Sequence, residues 1–121
     1  MSKPISVVIV EDETTMAMCL EMILKRAGFD ICANVGTGEE AIAESERFSP
    51  DAVLLDVRLG GEIDGIEAAQ QIVRNRNIRI VFMTGYSNPE FRKRAQIVEP
   101  VAYLVKPFEF SELIEVLNNL R

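Results

Sequence analysis

Five side chains that could bind a cation or a phosphoryl group stand where short apolar runs of the chain end. They are Glu11 and Asp12, then Asp56, Thr84 and Lys106. If these runs are parallel strands of one sheet, the five side chains meet at its carboxyl edge, where open α/β sheets bind ligands. Carboxylates bind hard divalent cations, and an ammonium binds phosphoryl oxygens as a point charge. The set therefore predicts a site for a divalent cation and a phosphoryl group.

Each of these residues also has an ordinary structural explanation. Glu11 and Asp12 could lie in a solvated loop or favour the start of the following helix. Asp56 could be hydrogen-bonded to loop amides, Lys106 could be a surface lysine, and Thr84 could reflect strand propensity. Their joint order, in which each position closes its own strand, favours a shared site.

Length, charge and cysteine content limit the class of protein. A chain of 121 residues is expected to form one domain. A formal charge of −6 argues against direct binding of nucleic acid. Cys19 and Cys32 are expected to be reduced. No apolar stretch reaches the roughly 20 residues of a membrane span, so we expect a cytoplasmic protein that does not bind membranes.

Strand-like and helical segments alternate along the chain. The strand-like runs lie near residues 5–10, 30–35, 52–56, 79–84 and 101–105. Five β-α repeats of this size predict an α/β fold, a doubly wound parallel sheet with helices on two faces. The second run contains Asp30 and Asn34 and suits an edge strand. The first, third and fourth runs are apolar almost throughout, as in strands covered on both faces.

Capping patterns predict the ends of several helices. Thr37–Glu40 and Asp64–Glu67 have capping-box spacing, and Asn88–Pro89 suits a cap followed by proline at the first helical position. The first helix is expected from about Thr14 to Ala27, with Glu13 at its start. Its predicted apolar face contains Met16, Leu20, Ile23 and Ala27.

The chain resembles the receiver domains of two-component response regulators. The matching motifs are Val8-Ile-Val-Glu-Asp-Glu13, Pro50-Asp-Ala-Val-Leu-Leu-Asp56, Thr84-Gly85 and Val105-Lys-Pro-Phe108. The resemblance covers essentially the whole chain. It implies a flavodoxin-like sheet of strand order 2-1-3-4-5 and a single receiver domain over residues 1–121, with no output domain in this chain.

The resemblance also implies roles for individual residues. Asp56 would be the phosphoacceptor, Lys106 would contact the phosphoryl group, and Thr84 would hydrogen-bond it once it has formed. The implied cofactor is Mg²⁺, with Mn²⁺ as a substitute. Its implied ligands are three carboxylates and one backbone carbonyl, those of Glu11, Asp12, Asp56 and Arg58.

A switch and a control of dephosphorylation are further expectations. Tyr103 matches the family's switch aromatic, which moves with Thr84 and alters a surface formed by the fourth helix, fifth strand and fifth helix. The alternative is that Tyr103 is a static core aromatic. Arg58 and Tyr86 are expected to tune dephosphorylation through water access, because each lies two residues beyond a site residue.

Two features depart from the family's usual pattern. The loop Arg58–Gly65 lacks the usual proline and has one extra residue. Its Gly60-Gly61 pair is expected to loosen the rim of the site, and Glu62 could add a charge near the metal. Glu109 is a weak cap, so the fifth helix is expected to begin irregularly.

The expected function is phosphorylation-activated signalling, not enzymatic turnover. The phosphodonor would be a sensor histidine kinase, a phosphotransfer protein or a small molecule. The output would be a downstream protein or a missing output domain, and a homodimer through the switch surface is a further expectation. The alternative is a phosphorylation-independent interaction module of the same fold. A small hydrolase or flavin protein is disfavoured, because Glu-Asp-Glu replaces a glycine-rich phosphate loop after the first strand.

Overall fold

Strands and helices alternate throughout the computed structural model, which describes residues 3–74, 77–85 and 89–120. The strands are β1 (Ser6–Val10), β2 (Asp30–Val35), β3 (Ala52–Asp56), β4 (Arg79–Thr84) and β5 (Ala102–Val105). The helices are α1 (Thr14–Arg26), α2 (Gly38–Phe48), α3 (Gly65–Val73), α4 (Pro89–Ala95) and α5 (Phe110–Asn118). A short 3-10 helix, Gln96–Val98, follows α4. The strand boundaries agree with the predicted runs to within a residue.

The five strands form one parallel sheet of order β2-β1-β3-β4-β5. The predicted fold class is therefore confirmed. β2 lies at one edge, as its polar residues indicated. β3 lies in the middle, where Leu54 is in register with Ile9 of β1 and with Val81 of β4.

The sheet separates two apolar clusters, and alternate strand residues contribute to each. On one side, Val53 and Leu55 pack with residues from α2 and α3. On the other, Ala52 and Leu54 pack with residues from α1 and α5. Successive side chains of a strand point to opposite faces, so β3 is buried at all five positions. This two-sided burial explains why the central strands are apolar almost throughout.

The predicted apolar face of α1 is partly wrong. The buried positions are Ala17, Leu20 and Leu24. Ile23 is half-buried and Ala27 is exposed. The buried face of α1 is therefore centred one residue away from the predicted apolar face. Ala27 is the C-cap, and Gly28 follows it at φ +97°, a conformation that suits glycine.

The predicted caps are observed wherever the structure describes them. Glu13 caps α1, since its carboxylate accepts the N–H groups of Thr15 and Met16. Asp64 and Glu67 form both bonds of a capping box at α3. For α2 the box is altered, because the Glu40 carboxylate accepts the Thr37 hydroxyl; the Glu40 N–H donates to the same hydroxyl.

Other local predictions have mixed outcomes. Glu109 provides no side-chain cap, yet α5 begins at Phe110 and the Glu109 carbonyl accepts the Glu112 N–H. Asn88 lies outside the described residues, and Pro89 is the first residue of α4.

Cys19 and Cys32 are both free thiols. In the described part of the chain, every helix is too short or too polar to cross a membrane.

Candidate functional site

The predicted residues converge at the carboxyl edge of the sheet. Glu11 and Asp12 follow β1, Asp56 is the last residue of β3, Thr84 is the last residue of β4, and Lys106 follows β5. The backbone joins the last two, since the Lys106 N–H donates to the Thr84 carbonyl at 2.7 Å. The order of the strands thus brings residues from four segments of the chain to one place.

Three carboxylates form a compact group at this edge. Glu11, Asp12 and Asp56 each have an oxygen within 4.8 Å of an oxygen of the others. Glu11 and Asp56 are buried, with 3% and 7% of their surface exposed, and Asp12 is exposed. Like charges at this separation repel each other unless a cation lies among them. Three carboxylates of this spacing, one open to solvent, are a suitable donor set for a divalent cation.

The Lys106 ammonium already places one positive charge inside this group. Its Nζ lies 2.5 Å from Glu11 Oε1 and 2.8 Å from Asp56 Oδ2. Burial, the largest single influence, lowers the pKa of Lys106, but its hydrogen bonds to Asp56 and Glu11 and the charges of these two carboxylates together raise the pKa overall. Lys106 is therefore not an ordinary surface lysine.

The Glu11 carboxylate accepts a hydrogen bond on each of its two oxygens. One carboxylate oxygen accepts Lys106, and the other accepts the Glu13 N–H at 3.1 Å. Burial, the largest influence, raises the pKa of Glu11, and these two hydrogen bonds lower it only in part. The carboxylate thus depends on its donors for stabilisation of its charge.

Asp56 is held by two donors, one on each carboxylate oxygen. Oδ1 accepts the Arg58 N–H at 2.9 Å, and Oδ2 accepts Lys106 at 2.8 Å. The interpretation of Asp56 as an acceptor for a loop amide is therefore confirmed, and the same carboxylate also accepts a hydrogen bond from Lys106. Two hydrogen bonds of this kind restrict the orientation of the carboxylate.

Gly65 is a residue of the site that the sequence did not reveal. A Cβ atom on Gly65 would lie 2.0 Å from the Asp56 carbonyl oxygen. The Gly65 N–H donates to the Val57 carbonyl at 2.8 Å, and the Val57 N–H donates to the Met83 carbonyl at 3.2 Å. The sequence signal was a glycine directly after a helix cap, which does not reveal how closely two segments approach.

The loop between β3 and α3 is anchored, so the structure does not support the expected loose rim. Gly60 forms a parallel bridge with Thr37. The Glu62 N–H donates to a Glu39 carboxylate oxygen at 3.3 Å. Gly61 has φ +93°, a conformation that glycine adopts without strain. Among the described residues, the candidate metal group does not include Glu62.

Tyr103 is half-buried beside the apolar cluster of α2 and α3. Its ring centre lies 6.0 Å from that of Phe82, and the Arg92 guanidinium carbon lies 5.1 Å from its ring centre. Burial raises the pKa of Tyr103, and the neighbouring Arg92 opposes this. Tyr103 also lines an open groove of about 310 Å³ beside α4.

Of the two residues expected to tune dephosphorylation, Arg58 is exposed and Tyr86 lies outside the described residues.

Known proteins resemble this chain in sequence. PdtaR of Mycobacterium tuberculosis, a transcriptional regulatory protein, is 39% identical over 115 residues, which are 95% of this chain and 56% of PdtaR. The chemotaxis protein CheY of Thermotoga maritima is 28% identical over 120 residues, covering 94% of this chain and 95% of CheY.

A solved structure matches over nearly its full length. It is the signal receiver domain of a modulated diguanylate cyclase from Desulfovibrio desulfuricans, with a TM-score of 0.91 and 32% identity, covering 97% of this chain and 93% of that one. The family profile described as the response regulator receiver domain matches residues 7–118. The chain therefore belongs to the receiver domains of two-component response regulators, which are signalling domains.

Proposed function

We propose that residues 1–121 act as one receiver domain that accepts a phosphoryl group on Asp56. The observation that carries the proposal is the position of Lys106 Nζ, which lies between the Glu11 and Asp56 carboxylates beside exposed Asp12. Phosphoryl transfer depends mainly on positioning and on neutralisation of charge. This arrangement offers a fixed carboxylate, one cation and acidic groups that could bind another.

In the proposed reaction an Asp56 carboxylate oxygen attacks phosphorus. With a phosphohistidine donor the P–N bond breaks, its electron pair remains on the imidazole nitrogen, and that nitrogen takes up a proton. The Arg58 N–H holds one Asp56 oxygen in place throughout. Lys106 stabilises negative charge on the transferred group.

We propose that Mg²⁺, or Mn²⁺ in its place, is the cofactor of this transfer. The proposed ligands are the carboxylates of Glu11, Asp12 and Asp56 and the backbone carbonyl of Arg58. The three carboxylates fit this role because their oxygens lie within 4.8 Å of one another. When bound, the ion would neutralise charge on the phosphoryl oxygens.

The proposed response is a change in the surface formed by α4, β5 and α5. A phosphoryl group adds charge and strong acceptor oxygens, and Thr84 would hydrogen-bond it. Tyr103 would move with Thr84, and the groove beside α4 would change shape. Arg58 and Tyr86 would control water access and so the lifetime of the acyl phosphate.

The proposed donor is a sensor histidine kinase or a phosphotransfer protein in the cytoplasm. The altered surface would act on a downstream protein, on a second copy of the chain, or on an output domain joined to the receiver. PdtaR, of which this chain matches 56%, is a transcriptional regulatory protein, so a role in transcription is one such output.

The test is incorporation of one phosphoryl group from acetyl phosphate in the presence of Mg²⁺, measured by intact mass. We expect the parent chain to be labelled and Asp56→Asn not to be. Asp30→Asn, which alters an exposed acid at the opposite edge of the sheet, should be labelled like the parent. Labelling of Asp56→Asn would refute the assignment. A parent that neither binds Mg²⁺ nor takes up label would favour the phosphorylation-independent interaction module.

A further inference from the structure

We infer that Glu39 is a positioning residue for the phosphoacceptor site. Its carboxylate anchors the tip of the loop between β3 and α3, and this anchor holds the Arg58 peptide in place beside Asp56. The inference rests on the proposed function in one respect, since it assigns the Arg58 carbonyl to the metal. The contacts that support it belong to this chain's unusual loop.

The central contact joins the first turn of α2 to the loop tip. Glu39 Oε2 accepts the Glu62 N–H at 3.3 Å. The same carboxylate lies against Gly61, because a Cβ atom there would be 2.8 Å and 3.0 Å from its two oxygens. Gly61 has φ +93°, so both its backbone conformation and its missing side chain allow the carboxylate to reach the loop.

Two neighbouring contacts extend this anchor. Thr37, the N-cap of α2, forms a parallel bridge with Gly60. Gly38 packs against Ile63 so closely that a Cβ on Gly38 would lie 2.8 Å from Ile63 Cγ1. Three successive residues of α2 and its cap therefore contact the loop. Of these, Glu39 is the one whose charged side chain makes the contact.

The base of the same loop forms part of the candidate site. The Arg58 N–H donates to Asp56 Oδ1 at 2.9 Å. The loop is closed at its ends by the hydrogen bond from Gly65 N–H to the Val57 carbonyl. If the tip is released, the Arg58 peptide gains conformational freedom, and ligand binding must then order it at a cost in affinity. Groups that hold metal ligands in place typically affect affinity by about 10-fold or more when removed.

Glu39 is also an acid near a cation site, so a change in charge must be separated from a change in position. Glu39→Gln removes the charge but keeps an oxygen that can accept the Glu62 N–H. Glu39→Ala removes both. Glu46→Ala, two turns further along α2, removes an exposed acid at a distance from the loop and is the matched control.

The experiment is a Mg²⁺ titration of the full chain, together with amide hydrogen exchange at Glu62. We expect Glu39→Ala to weaken Mg²⁺ binding by about 10-fold, the lower end of that range, and to speed exchange at the Glu62 N–H. Glu39→Gln and Glu46→Ala should remain within about twofold of the parent. Urea midpoints should be equal for all four proteins, which separates positioning from loss of the fold.

Gly61→Ala acts on the same contact, since its methyl group would displace the Glu39 carboxylate, and it also strains the backbone at φ +93°. In Glu39→Ala the same substitution should cause a smaller loss of Mg²⁺ affinity than in the parent, because only the backbone strain then remains. Equal affinity in Glu39→Ala and the parent, or equal losses in Glu39→Gln and Glu39→Ala, would overturn the inference. A parent that binds no Mg²⁺ would refute the proposed function instead, and unchanged exchange at Glu62 would then refute the anchor separately.

Discussion

Gly65 and Asp56 approach so closely that a Cβ atom on Gly65 would lie 2.0 Å from the Asp56 carbonyl oxygen. Any side chain at this position would have to displace either the end of β3 or the first turn of α3. The contact therefore makes the position of Asp56 depend on the start of the next helix.

We expect Gly65→Ala to lower the free energy of unfolding by at least about 1–3 kcal/mol, the usual cost of overpacking. The methyl group would overlap a backbone atom, which has no alternative rotamer. Gly60→Ala, in the same loop, is the control, since nothing lies within 4 Å of its added Cβ. Urea unfolding of both variants measures the difference. A Gly65→Ala protein as stable as Gly60→Ala would contradict the packing described here.

Removal of the Lys106 ammonium should destabilise the chain in the absence of divalent ions. Lys106→Met would leave the buried Glu11 and Asp56 carboxylates without their shared donor. Because Lys106 is only partly buried, we expect a loss of about 2–3 kcal/mol in EDTA, somewhat below the cost for a fully buried pair. Mg²⁺ should restore part of this stability. Lys93→Met, at an exposed lysine, should change little, and the same small effect for Lys106→Met would count against the ion pairs.

Another ion pair links α4 to the cap of α3. Arg94 Nη2 lies 3.0 Å from Asp64 Oδ2, and Asp64 Oδ1 accepts the Glu67 N–H. We expect Arg94→Ala to cost at most about 1 kcal/mol, because the pair is partly exposed. The loss should shrink at high salt. Thermal unfolding at two salt concentrations tests this, with Lys93→Ala as the control; a loss that does not depend on salt would point to packing instead.

Glu99 has a left-handed backbone conformation, with φ +50°. Residues with a Cβ are strained there, whereas glycine is not. We expect Glu99→Gly to raise the free energy of unfolding by about 0.5–1 kcal/mol after the entropy of glycine in the unfolded chain is subtracted. Glu115→Gly, inside α5, should lower it by about 1 kcal/mol. Denaturant midpoints distinguish the two, and a destabilised Glu99→Gly would refute the strain.

Stability should depend on pH through Glu21. Its hydrogen bond from Lys25, then that from Asn34, hold the pKa of Glu21 below its ordinary value of 4.5. At pH values near these two pKa values, the folded state therefore binds fewer protons than the unfolded state. The stability that Glu21 contributes is complete above its unfolded pKa and is lost as pH falls through its folded pKa.

The variant Glu21→Gln isolates this contribution. We expect the parent to exceed Glu21→Gln by at most about 1 kcal/mol near neutral pH, since the carboxylate is partly exposed and screened. The difference should decline as pH falls below about 4.5. Urea unfolding across this range measures it, and a difference that is constant with pH would show that the carboxylate charge has no role.

The strand boundaries could be predicted because polar residues mark the strand ends, whereas the strand order came from the family resemblance. Asp56 and Thr84 close runs that are apolar almost throughout, so the boundaries of β3 and β4 follow directly. The convergence of Lys106 with Glu11 and Asp56 followed from parallel topology alone. These features depend on local sequence and on one global rule, that parallel strands share a carboxyl edge.

The anchored loop could not be predicted in the same way. Glu39 and Glu62 are 23 residues apart, and no local pattern relates them. Gly60 and Gly61 suggested mobility because sequence shows only their intrinsic freedom, whereas the structure shows both in contact with α2 or its cap. The apolar face of α1 was misplaced by one residue for a related reason, because neighbouring apolar positions make the stripe ambiguous until the helix packs.

β3 is paired with strands on both sides, whereas β5 lies at the margin of the sheet and is paired with β4. Tyr103 and Lys106 belong to that marginal strand and its end. Asp56 therefore ends a strand that is hydrogen-bonded on two sides, whereas the backbone around Tyr103 is hydrogen-bonded to a strand on one side.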